Sequence, residues 1–159
     1  MKKLCFALVA VVLAISLLFT GCGRQPSVSI GKAKGRSGEV VEVKIDMGNN
    51  PGIWGGQLII DYDSVNFSFD SISNGSVFET CESNDNGNSV ILVLTHSVTT
   101  NAKLKNSTNN GTIATLKFKV KTGVTKGKYD ITINEESNFC NANEELIDVA
   151  FAGGQIKVK

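Results

Sequence analysis

Short runs of alternating apolar and polar residues, each closed by a cluster of Gly, Asn, Asp or Ser, fill this chain from residue 28 onward and leave almost no stretch with helical periodicity. In Val40–Met47, residues Val41, Val43, Ile45 and Met47 fall on one face and Glu42, Lys44 and Asp46 on the other, the pattern of a half-buried strand. Turn clusters recur at the eight-to-twelve-residue spacing of β-sandwiches. The expectation is an all-β, two-sheet jelly-roll sandwich.

Further strands follow the same logic. In the run from Gly52, Trp54 shares the parity of Leu58, Ile60 and Tyr62 and is read as core, while Gly55, Gln57, Ile59 and Asp61 share the opposite parity and face outward. Phe67 and Phe69 alternate in Asn66–Ile72. Cys81–Asn88 reads as a polar loop, Ser89–Thr95 as a strand covered on much of both faces, and Thr99–Asn110 as the longest polar loop. Ile113–Lys121, Tyr129–Asn134, Leu146–Phe151 and Gln155–Lys159 complete the set, with Gly153-Gly154 as a tight connection.

The first residues are set apart from this pattern. Met1-Lys2-Lys3 is a positive n-region, and Leu4–Phe19 is an apolar run leading to Thr20-Gly21-Cys22, as in an export signal. The stretch Leu18–Cys22 resembles a bacterial lipoprotein lipobox, which implies cleavage before Cys22 and lipidation of that residue, with an uncleaved anchor as the next reading. Residues 1–22 are thus assigned as signal and lipobox, 23–27 as a short tether, and 28–159 as one domain placed outside the cytoplasm and held at the membrane.

Charge and chemistry exclude several classes. With 16 basic residues, 15 acidic residues and one His, the chain lacks the footprint of a nucleic-acid binder. No Gly-x-Ser-x-Gly motif is present, His96 has no triad context, and Glu135-Glu136 and Glu144-Glu145 are adjacent pairs that read as solvated surface. The expectation is a non-enzyme without cofactor. Two distant Cys and a lone His lack the spacing of a metal site. Asp85-Asn86-Gly87 hints at a Ca²⁺ loop but lacks a later bidentate Glu. Cys81 and Cys140 are read as separate, partly buried thiols, with a disulfide as the lesser alternative.

The order of strands and turns resembles a cohesin domain, the jelly-roll module of cellulosome scaffoldins that holds dockerins. Four stretches carry the resemblance: Val28-Ser29-Ile30 with Gly35–Val43, Gly52-Ile53 leading to Asp61-Tyr62-Asp63, Asn110–Phe118, and Gly127-Lys128-Tyr129 through Phe139 to Gly153–Ile156. The resemblance implies a dockerin-containing partner, with any Ca²⁺ on the partner's side, lying across one sheet. It nominates Gly55, Gln57, Ile59, Thr115, Lys117 and Glu135 as partner-binding residues. Many type I cohesins have Asn and Asp where this chain has Gly55 and Gln57, and Gly55 offers only backbone. A carbohydrate-binding sandwich is the runner-up, weakened by the lack of a row of planar aromatics.

Overall fold

The computed structural model describes residues 24–96 and 108–159; the N-terminal apolar run, Cys22 and most of the loop Thr99–Asn110 lie outside the described residues. The described residues form thirteen strands and no helix. One sheet has the order β12 (Ala150–Ala152), β1 (Ser27–Ile30), β3 (Val40–Gly48), β8 (Gly111–Val120), β5 (Phe67–Asn74). The other begins with the hairpin β6 (Thr80–Asp85) and β7 (Ser89–Thr95), and β7 pairs with β4 (Gly55–Asp61) along its whole length. The far side of β4 is shared end to end by β10 (Asn138–Cys140) and β9 (Gly127–Ile133). Beyond β9 lie β13 (Gly154–Val158) and β2 (Lys32–Gly35), and beyond β10 lies β11 (Leu146–Ile147).

The two inner faces meet in one core. Leu58, Ile60, Leu92 and Leu94 from one sheet pack with Ile45, Leu116 and Phe118 from the other, all fully buried. Each such side chain contributes roughly 1.5–3 kcal/mol of burial, so the alternation read along each strand also carries the main stabilising term. Tyr62 caps this layer. Its ring lies 5.0 Å from that of Phe118, its hydroxyl donates to Asp85 Oδ1 at 3.0 Å, and desolvation followed by the Asp85 hydrogen bond pushes its pKa up.

Four local features differ from what the sequence pattern alone implies, each with a physical cause. Cys81–Asn88 is not a loop: β6 occupies most of it, and Gly87, at φ 92°, closes the β6–β7 hairpin. Its polarity reflects an edge strand with little of either face buried. β7 is covered on one face only, with Val90, Leu92 and Leu94 buried and Val93 48% exposed. A bulge opposite Ile45/Asp46 leaves Ile113 without a register partner, and Ile113 and Ala114 are both buried. Trp54 is half-buried and outside the core, because it lies beyond the end of β4; Ile53 takes the fully buried place.

Both ends of the domain change sheets together. β1 and β12 run parallel in one sheet, and their continuations β2 and β13 run parallel in the other. The crossing requires close approach at Gly154, where a Cβ would come within 2.3 Å of the Gly31 carbonyl oxygen. Gly153-Gly154 is therefore a tight connection that serves as a sheet-switching point.

Candidate functional site

The outer face of the larger sheet can be built rung by rung from the register. Glu82 lies opposite Val93, Val93 opposite Gln57, and Gln57 opposite Asn138. On the next rung Thr80, Thr95, Gly55 and Cys140 follow in the same way, ending at Leu146 on β11. Val93 and Leu146 are 48% and 78% exposed, two of the four large hydrophobic residues left open among the described residues. Three strand steps across and two residues along, about 16 Å in all, separate them, and Gln57 lies between. Two apolar side chains flanking polar groups on a rigid sheet suit protein docking better than chemistry.

Ile59 is on this sheet but is not an exposed docking residue. It is only 8% exposed, and the turn linking β9 to β10 is bonded to both of its backbone polar groups. The Asn134 N–H donates to the Ile59 carbonyl oxygen at 2.9 Å, and the Ile59 N–H donates to Ser137 Oγ at 2.9 Å. Asn134 Nδ2 donates to Asp61 Oδ2 at 2.9 Å and so fixes the turn to β4. Glu135 is exposed within that turn, beside Ile59.

Thr115 and Lys117 are not on this face. Their strand, β8, pairs with β3 and β5, which places both residues on the outer side of the opposite sheet. There Lys44 lies opposite Thr115 and Glu42 opposite Lys117, with Lys117 Nζ 3.4 Å from Glu42 Oε1. The six nominated residues therefore divide: Gly55, Gln57, Ile59 and Glu135 fall on one sheet, Thr115 and Lys117 on the other. Alternation fixes in or out but not which sheet a strand joins, and that choice is the source of the error. Val93 and Leu146 were missed; the signal was Val93's parity with Ile91 inside a run that had been read as covered on both faces.

The two thiols do not pair. Cys81 is buried opposite Leu94 on the core side, whereas Cys140 lies opposite Gly55 and Leu146. They are three strands apart on opposite faces, beyond disulfide reach. Burial pushes the Cys81 thiol up to about 11. At the end of the sheet, Trp54 Nε1 and His96 Nε2 are buried with no hydrogen-bond partner among the described residues.

Fold and face together define a jelly-roll module with one broad, open sheet. The cohesin domain family model matches residues 26–158, and the chain belongs to that family. Solved structures agree on the fold. The third ScaC cohesin of Acetivibrio cellulolyticus, in complex with the ScaB dockerin, is 26% identical with TM-score 0.76, over 84% of this chain and 99% of that one. The OlpA cohesin of Clostridium thermocellum, from a type I cohesin–dockerin complex, is 20% identical with TM-score 0.75, over 86% of this chain and 100% of that one. A non-cellulosomal cohesin of Archaeoglobus fulgidus is 17% identical with TM-score 0.71, over 85% of this chain and 91% of that one. A search of curated proteins gives no match.

Proposed function

We propose that this chain is a non-catalytic receptor module that binds a dockerin-type partner across the outer face of β7, β4 and β10, with Val93, Gln57, Asn138 and Leu146 as its contacts. The observation that carries it is the pair of exposed apolar residues, Val93 and Leu146, flanking the polar centre on a sheet whose strands are locked by their register. Relatives of the same fold are found in cohesin–dockerin complexes, which supports this class of partner. Any Ca²⁺ belongs to the partner. Cys22 carries a lipid in this reading and holds the module at the membrane, so Cys22→Ser should release it from the detergent phase; unchanged partitioning would overturn the anchor.

The direct test is calorimetric titration against a panel of Ca²⁺-loaded type I dockerins. Val93→Asp and Leu146→Asp should each weaken binding at least about tenfold, as expected of apolar anchors, without lowering the melting temperature. Thr115→Asp, on the opposite sheet, should not. Loss of binding in Thr115→Asp with full binding in Val93→Asp would place the partner on the wrong sheet for this proposal. Binding of neutral oligosaccharides with no dockerin response would favour the sugar-binding alternative.

A further inference from the structure

Beyond the candidate docking face, the same sheet carries a row of three lysines. β9, β13 and β2 place Lys128, Lys157 and Lys34 directly opposite one another, and all three are exposed. None makes an ion pair: the pairs among the described residues are His96 with Glu79 and Lys117 with Glu42. Like charges in directly opposed positions cost stability, so three in succession call for an account. Lysines on an edge strand deter strand addition, which explains Lys34 on β2. It does not explain Lys157, at the centre of the row, which is paired on both sides; Lys128 lies at the end of β9 that the pairing with β4, at Thr132 and Ile133, does not reach.

The surroundings reinforce the positive charge. On the next rung lie Asp130, Gln155 and Lys32, and Gln155 Nε2 donates to Asp130 Oδ1 at 2.9 Å, which holds that carboxylate toward Gln155 without an ion pair to the row. Lys126 and Lys159 are exposed beside the row. The row also lies far from where the chain enters the fold: Ser27 pairs with Gly48, whereas Gly35 packs on Val41 at the other end of β3.

We propose that this row binds a linear acidic polysaccharide lying across the strands, each ammonium taking the carboxylate of a successive sugar. Neighbouring strands are about 4.8 Å apart, and a polyuronate repeats its carboxylate at each ring, a step close to that spacing. An extended acidic peptide presents successive carboxylates about every 3.4 Å and same-side ones about every 6.7 Å, so neither of its steps matches the row. Compact ammonium groups on flexible four-carbon stems can meet carboxylates on either side of the polymer. Such binding rests on charge and falls with salt.

The test is affinity electrophoresis of the purified chain in gels containing polygalacturonate or its fully methyl-esterified counterpart. The acid polymer should retard the chain at low ionic strength, high salt should abolish the effect, and the neutral ester should have none. K34Q/K128Q/K157Q should bind at least tenfold more weakly, and Lys157→Glu alone should show most of that loss. K44Q/K119Q/K121Q, an equal change of charge on or beside the opposite sheet, should bind as the unmodified chain does. An equal loss in that control would overturn the proposal. So would equal or tighter binding to polyglutamate or to phosphatidylserine vesicles, or absence of binding to the acid polymer.

Discussion

The Ile59 N–H is held by Ser137 Oγ at 2.9 Å, a side-chain bond that substitutes for a ladder bond where β9 ends and β10 has not begun. Ser137 is itself only 7% exposed. Ser137→Ala should therefore leave a buried donor unsatisfied and destabilise the domain by about 1–3 kcal/mol, measured by urea unfolding. Ile59→Asp would likewise lower stability, since the residue is buried, and is unsuited to mapping the partner.

Gly56 tests the seam between β4 and β10. A Cβ there would come within 2.3 Å of the Asn138 carbonyl oxygen and 2.7 Å of Phe139 Cδ1. Gly56→Ala should cost about 1–3 kcal/mol or more by overpacking. Amide exchange should quicken first in Asn138–Cys140, while the hairpin of β6 and β7 keeps its protection.

Lys157→Glu should stabilise the chain. The substitution turns two like-charge contacts, to Lys128 and Lys34, into opposite-charge ones, each cross-strand pair contributing about 0.2–1 kcal/mol. The gain should be read as a higher urea midpoint at low ionic strength and should shrink with added salt.

Cys81 predicts a pH dependence at the alkaline end. Its thiol rises from 9.0 to about 11 through desolvation, so above pH 9 the unfolded chain ionises first and the folded chain holds the proton. Stability from this group is whole below pH 9 and falls as pH rises through the window from 9 to 11. Cys81→Ala should flatten that slope in urea unfolding series. Native Cys81 should also resist alkylation at pH 8 relative to the unfolded chain.

The sequence made the individual strands legible wherever a strand has one buried and one open face. Val40–Met47 is placed nearly to the residue because burial imposes period two directly, and Ser89–Thr95 by the strand length of its apolar run, although only one of its faces is buried and not both as expected. β6 was not legible, since an edge strand with both faces in water carries no apolar signal. Gly55 and Gln57 lie on the sheet expected of them, but Thr115 and Lys117 do not, because sheet membership is set by pairings with β3 and β5 far away in sequence. Ile59 departs from its expected exposure for a related reason: the turn Asn134 to Ser137 is bonded to Ile59 and Asp61 from far away in sequence, and no local periodicity along β4 announces it.

The joint crossing at Gly31 and Gly154 has a mechanical meaning. The chain enters at Ser27 at one end of the sandwich and leaves after Val158 at the other, and the first and last strands run parallel in both sheets. Tension between the two termini acts along these ladders, so their hydrogen bonds are loaded in shear together instead of being opened one at a time. A domain strung this way resists extension between its ends far better than a hairpin peeled from its open edge.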